Sequence, residues 1–193
     1  MNFEFIAGNL ALDFANTVHS FGARDPEDDL KTNQDLIAWG VQAGVIKEYE
    51  FRRLVNRTGD DKEVLRRARE LRKILYYLFA RIAIAGSPEQ ISLNYFARLV
   101  REAMGRATFR YSQGKVVLQC EEKAAPLERL HFAVIRSAME LLTSDQLARV
   151  RECAGNNCSW MFLDTSRNGK RRWCDMEACG NREKARRFRK RAA

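Results

Sequence analysis

The 193-residue chain is 46% apolar and 31% charged, with only 3 Pro and 11 Gly, so it can fill a core and is neither collagenous nor of low complexity. No stretch approaches the roughly 18 uninterrupted apolar residues of a membrane span. The opening residues 1–14 carry no basic run ahead of an apolar segment, so a cytoplasmic protein without a membrane partner is expected.

The net charge of +9 is uneven. Residues 151–193 hold 12 basic and 5 acidic side chains, which leaves 22 basic and 20 acidic for residues 1–150. That asymmetry suggests a near-neutral globular body followed by a basic module of the kind that meets nucleic acid or a membrane surface. Four of the five cysteines lie within the same last stretch. Two units are therefore expected, a helical domain over residues 1–145 and a cysteine module over residues 146–193.

In chain order, Ala11, Phe14, Ala15, Val18 and Phe21 recur at helical spacing behind Asn9 as a cap. A second helix is expected after Asn33, with Leu36, Ile37, Gly40 and Val41 inward and Gly44 as its stop. A third covers about Glu48–Asn56. The longest begins at Asp60 or Asp61, carries the stripe Val64, Leu65, Ala68, Leu71, Leu75, Leu78 and Ile82, and ends at Gly86. Ser87-Pro88-Glu89-Gln90 has the features of a helix start, a Ser cap followed by Pro at the first position. Thr108–Tyr111 and Lys115–Cys120 flank Ser112-Gln113-Gly114 as a β-hairpin, and Pro126 opens a helix through Leu142. In the last unit, Arg149–Cys153 and Ser159–Asp164 are expected as short strands. Asn168-Gly169 marks a turn, Lys170–Cys174 a returning strand, and a helix follows Cys179. The fold class expected is mainly α with a β-hairpin, plus a small module of hairpin and helix, treble-clef or zinc-ribbon in kind. With so many large apolar residues in matched stripes, residues 1–145 are expected to fold without the module.

The cysteines are spaced Cys153-x4-Cys158, fifteen residues, Cys174-x4-Cys179. Two close pairs separated by a hairpin-sized spacer are what a tetrahedral metal site needs. Four thiolates suit one structural Zn²⁺ with no open position. Disulfides, an iron–sulfur cluster or coincidence are the alternatives. Disulfides fit a cytosolic chain poorly, known cluster spacings differ, and the module holds too few apolar residues to fold unaided. Cys120, alone at a strand end, is expected to be a small core residue.

Function must come from the surface around the metal. Arg167, Lys170, Arg171 and Arg172 surround the turn, Trp173 precedes a ligand, and Asn181, Arg182, Lys184, Arg186, Arg187, Arg189, Lys190 and Arg191 follow the last one. Ala185, Phe188 and Ala192 would form a narrow face for packing on the hairpin. The remaining faces are basic, and such a helix repels itself unless it is solvated or meets phosphate. Nucleic-acid contact is favoured over a merely solvated tail. Asn181 and Arg182 are the candidates for a groove edge, and Trp173 is either a stacking ring or local core.

These residues bring a resemblance into view. Cys153-Ala-Gly-Asn-Asn-Cys158, Trp173-Cys174 and Cys179-Gly180-Asn181-Arg182 resemble the CGNR zinc finger. Gly8-Asn9-Leu-Ala-Leu-Asp13-Phe-Ala-Asn16-Thr17 resembles the opening of the ABATE domain that accompanies it. The resemblance implies a bacterial, stress-induced transcription regulator or an RNA binder, with DNA favoured on that implication alone. Among the polar residues of that opening, Asp13, Asn16, Thr17 and His19 have two readings. They are buried groups that fix the packing of the first helix, or the wall of a small-effector pocket; packing is favoured. His131 is expected on a helix face.

A zinc-braced protein-interaction module is the competing function. An enzyme is not expected, since the chain has no Ser-His-Asp pattern, no phosphate-cradling Gly loop and two histidines in all. The sequence leaves the oligomeric state open.

Overall fold

The computed structural model describes residues 2–21, 24, 26–57 and 62–192, with the backbone alone at residues 56, 57, 191 and 192. Helix α1 (Leu10–Ala15) is short and almost wholly buried. Asn9 caps it as expected, its side chain accepting from the Ala11 and Leu12 amides. The helix does not continue through Val18 and Phe21. Instead Val18–His19 (β1) pairs antiparallel with Glu27–Asp28 (β2). The cause is local competition for backbone groups. Thr17 Oγ1 donates to the Phe14 carbonyl at 2.8 Å, and the Asn16 side chain bonds a distant strand, so the chain leaves the helix there.

Helix α2 (Asn33–Gln42) starts at a capping box made by Thr32 and Asp35. Helix α3 (Glu48–Arg57) follows. Helix α4 (Lys62–Ala85) is the long central rod, about 36 Å at 1.5 Å per residue. The expected starts of α4, Asp60 and Asp61, lie outside the described residues. Helix α5 (Gln90–Met104) begins later than its sequence signal. Glu89 stands at the cap without a side-chain bond, and Ser87 and Pro88 bridge from Gly86, whose φ of +74° turns the chain. Strands β3 (Ala107–Ser112) and β4 (Lys115–Cys120) pair in register, Ser112 opposite Lys115. The two turn residues, Gln113 and Gly114, both have positive φ, as a tight hairpin turn requires. Helix α6 (Pro126–Leu142) has its Pro at the first turn. No helix among the described residues is long and apolar enough to cross a membrane.

In the cysteine module, β5 (Val150–Glu152) and β6 (Met161–Leu163) form a short antiparallel pair. A turn at residues 166–169 follows. The expected strand at Lys170–Cys174 does not form. The segment meets the first cysteine loop through Ala154 N–H to Arg172 C=O at 2.8 Å and Cys174 N–H to Cys153 Sγ at 3.3 Å. Asp164, fully buried, takes up the Arg171 amide of that segment. Its carboxylate accepts from the Ser166 amide and hydroxyl and from the Arg171 amide. A π-helical turn, Met176–Gly180, leads into α7 (Asn181–Ala192).

One apolar core runs through both units. Trp39, Phe14 and Phe79 of the helical part are fully buried, as are Met161 and Phe162 of β6, and all belong to the same cluster. Each such side chain stabilises the fold by about 1.5–3 kcal/mol. The expected division near residue 145 is thus crossed by shared packing. Helix α4 lies against both β5 and β6.

Candidate metal centre and basic groove

The four cysteines come from three local structures. Cys153 and Cys158 bracket the loop between β5 and β6, Cys174 ends the segment that follows the turn at residues 166–169, and Cys179 sits in the turn before α7. Zn–S bonds of about 2.3 Å place the corners of a thiolate tetrahedron about 3.8 Å apart. The Sγ atoms of Cys158 and Cys174 are 3.8 Å apart, and those of Cys174 and Cys179 3.7 Å. All four lie within 4.8 Å of one another, so the donor set fits one structural zinc ion. Sulfur–sulfur hydrogen bonding holds the Cys153 thiol well down and pushes those of Cys158 and Cys174 up. Zinc binds thiolates, so its affinity falls as the pH is lowered.

The surrounding residues keep the sulfurs in place. Backbone N–H groups of Gly155 and Cys174 donate to Cys153 Sγ at 3.4 and 3.3 Å. Gly155 sits close to the site: a Cβ there would stand 3.2 Å from the Cβ and Sγ of Cys179, tighter than ordinary contact. Arg182 donates to Cys179 Sγ at 3.4 Å. Arg171 donates to the carbonyls of Trp173 and Cys174 and lies 4.4 Å over the Phe162 ring. Trp173 is half-buried against the shared core, with Arg172 over its ring. Arg171, Trp173 and Arg182 therefore have structural contacts, while Arg167, Lys170 and Arg172 are exposed around the turn.

Helix α7 does not pack through an apolar face. Ala185 and Phe188 are exposed, Phe188 at 75%, and the side chain of Ala192 lies outside the described residues. The buried residue is Glu183, which holds Arg186 at 2.9 Å. The reason is geometric: α7 leaves the metal site with its Glu183 side towards the Asn156 loop. Between that loop and the helix runs an open groove of about 550 Å³. Its walls are Gly155, Asn156, Asn157, Arg182, Glu183, Arg186, Arg189 and Lys190. Positions 182, 186, 189 and 190 share one helical face. Lys184 and Arg187 are exposed on other sides, Asn181 is exposed at the helix start, and the side chain of Arg191 lies outside the described residues. The sequence reading missed the groove's second wall, Asn156 and Asn157. The one sequence signal was the Asn156-Asn157 pair, a turn former, and Asn157 does adopt φ +61°, a conformation Asn tolerates better than most residues.

Asp13, Asn16, Thr17 and His19 are taken up by the fold. Asn16 donates to the Met161 carbonyl at 2.8 Å and accepts from the Met161 amide at 2.9 Å, so its amide mimics a strand beside β6. Ala7 C=O accepts from Leu163 N–H, Ser20 Oγ donates to Asn157 C=O, and Phe21 N–H donates to Ser159 Oγ. Thr17 accepts from buried Arg72, which also forms a two-pronged ion pair with Asp28. Burial pushes the Asp28 carboxyl up, but Arg72 outweighs it and the net direction is down. The His19 ring lies 5.0 Å from that of Trp160 and pairs with Asp29, a bond that raises its pKa against burial. Asn16 and His19 thus fasten the helical part to the finger, while Asp13 and Thr17 brace the helical part itself.

Asp13 accepts from the Ala7 amide at 2.9 Å, yet burial pushes its pKa from 3.8 up to about 6. The folded state therefore holds that proton more tightly than the unfolded chain. The associated stability is full below pH 3.8 and is lost as pH rises through 6. Asp13→Asn removes the ionisation and should gain on the native chain by roughly 3 kcal/mol at pH 7.5, with about half of that already present at pH 5. Urea unfolding of both proteins at the two pH values checks this; a pH-independent difference would refute it.

A hairpin and a helix joined by four thiolates, packed on a helical core, define a zinc-finger protein with an attached helical domain. The ABATE family model, described as a putative stress-induced transcription regulator, matches residues 8–145, and that of the CGNR zinc finger matches residues 149–192. The chain belongs to the ABATE family and carries a CGNR zinc finger after the ABATE domain. A comparison with curated proteins gives no match.

Proposed function

We propose that this zinc-binding protein is a nucleic-acid-binding regulator that contacts its target through α7 and the groove beside it. The observation that carries the proposal is the groove itself, with Arg182, Arg186, Arg189 and Lys190 on one wall. Around it, Arg167, Lys170, Arg172, Lys184, Arg187, Arg189 and Lys190 have no carboxylate partner among the described residues. So many unpaired cations are stabilised by phosphate. Duplex DNA is favoured over RNA, because a projecting helix fits a B-form major groove and the deep major groove of A-form RNA excludes side chains. Asn181 at the helix start is the candidate base reader, and Arg182, bonded to a ligand sulfur, acts as a clamp. The family description supports a stress-induced transcription regulator; a cytoplasmic, bacterial protein without enzymatic activity is part of the same proposal.

A second reading is favoured by Phe188, whose exposed ring could instead seat α7 on an acidic protein. Selection of bound nucleic acid from random DNA and RNA pools, with and without zinc, separates them. On duplex DNA, with four to six phosphates neutralised, log affinity should fall with log salt at a slope of roughly −4 to −5. Zinc removal should abolish binding. Salt-insensitive or absent binding to both pools would overturn the reading in favour of a protein partner.

A further inference from the structure

Away from the finger, the helical part carries another concave site, made of a recess among α1, α2, α3, α4 and α6 and a cleft among α4, α5 and α6. Its inner part is an apolar recess of about 350 Å³ whose walls include Phe14, Leu36, Leu54, Val64, Ala68 and Val134. A wider polar cleft of about 910 Å³ adjoins it, and Arg67, Leu71, Glu128 and His131 belong to both. The recess alone is of a size that takes the apolar body of a small ligand.

Two features say what would occupy it. First, His131 Nε2 is buried and has no hydrogen-bond partner among the described residues. Burial holds its pKa below the ordinary value, so the ring is neutral near pH 7 and offers one donor and one acceptor. A buried ring nitrogen without a partner is an exception among native polar groups, and this one lies where the recess meets the cleft. Second, the cleft is lined by more cations than its carboxylates satisfy. Five cations, Arg66, Arg67, Lys73, Arg98 and Arg106, face three carboxylates, Glu70, Glu102 and Glu128. Arg66 pairs with Glu63 and Glu70, Arg67 with Glu63, and Arg106 with Glu128. Lys73 and Arg98 are exposed and have no carboxylate partner among the described residues.

We propose that this site binds a small amphipathic anion. Its aryl or short acyl body would enter the recess past His131, and its carboxylate or sulfonate head would rest against Lys73 and Arg98. The site is separate from the basic groove, so the proposal stands or falls independently of nucleic-acid binding.

The probe is 8-anilinonaphthalene-1-sulfonate, titrated into the zinc-loaded full chain and followed by its fluorescence. To remove adventitious binding at α7, the titration is done with Arg186, Arg189 and Lys190 changed to Gln. One saturable site is expected. Lys73→Ser with Arg98→Ser should weaken it about 5- to 10-fold, and Ala68→Phe should block it by filling the recess. Octanoate should displace the probe at least about 10-fold more effectively than octanol, since only the acid carries the head group. Unsaturable binding, unchanged affinity in the charge variant, or equal displacement by octanol would overturn the proposal. So would loss of probe binding on concentration-dependent dimerisation, which would mark the recess as an interface with a second copy. Should Ala68→Phe fail to fold, the charge variant and the acid–alcohol pair still decide.

Discussion

Replacing Cys174 with serine is expected to release the zinc and to lower the stability of the whole chain by about 3–5 kcal/mol. Its sulfur lies 3.8 and 3.7 Å from those of Cys158 and Cys174's other neighbour, Cys179, and its amide donates to Cys153. The finger's hairpin places Val150, Trp160, Met161, Phe162 and Leu163 in the core that α1 and α4 also line. If the loss of metal loosens only two of these, about 3–6 kcal/mol of burial is lost. For a chain of this length that lowers the melting temperature by roughly 10 °C or more. Thermal unfolding followed by helical circular dichroism, with zinc content measured in parallel, checks it. Asn16→Leu is the companion. It leaves the four sulfurs untouched but strips both partners from the Met161 amide and carbonyl, each worth about 1–3 kcal/mol when left unsatisfied in the interior. It should keep its zinc and still melt early. Zinc-free Cys174→Ser with an unshifted helical transition would show that the helical part stands alone.

Legibility in the sequence followed the range of each interaction. The four ligands, the cap at Asn9, the Pro126 start of α6 and the β3–β4 turn at Gln113-Gly114 depend on neighbours a few residues away, and spacing reveals them. The early end of α1 depends on Met161, 145 residues distant from Asn16, and local periodicity carries no trace of that contact. The same holds for the missing strand at Lys170–Cys174, where buried Asp164 takes up the Arg171 amide. On α7, Ala185 and Phe188 share an apolar spacing that reads as a packing face. Spacing alone cannot show that Glu183 is the side held against the Asn156 loop. Charge counts located the basic module but not which cations are free. Arg171 and Arg182 look identical in sequence to Arg172 and Arg189, and only the structure shows the first two bonded to carbonyls and to a ligand sulfur.

That distinction sharpens the test of the basic groove. Changing Arg186, Arg189 and Lys190 together to Gln is expected to weaken duplex DNA binding roughly 100-fold at 0.15 M salt. The three line one face of α7 beside Asn156 and Asn157, so they can meet one run of phosphates at once. Each phosphate contact contributes about 0.9 to the slope of log affinity against log salt, so the slope should flatten by about 2 to 3, the lower figure if Arg186 stays with Glu183. The same number of charges removed at Lys184, Arg187 and Arg167, which lie outside the groove, should cost less than about 10-fold if the groove is the contact surface. Arg182 is left intact in both sets because it donates to Cys179 Sγ, and its loss would confound binding with metal retention. Zinc content equal to that of the native chain is required of each variant. Equal losses from the two sets would mean diffuse attraction to the whole basic module, with the groove playing no special part. Unchanged affinity and slope in both would leave α7 a solvated helix and return the weight to Phe188 and a protein partner.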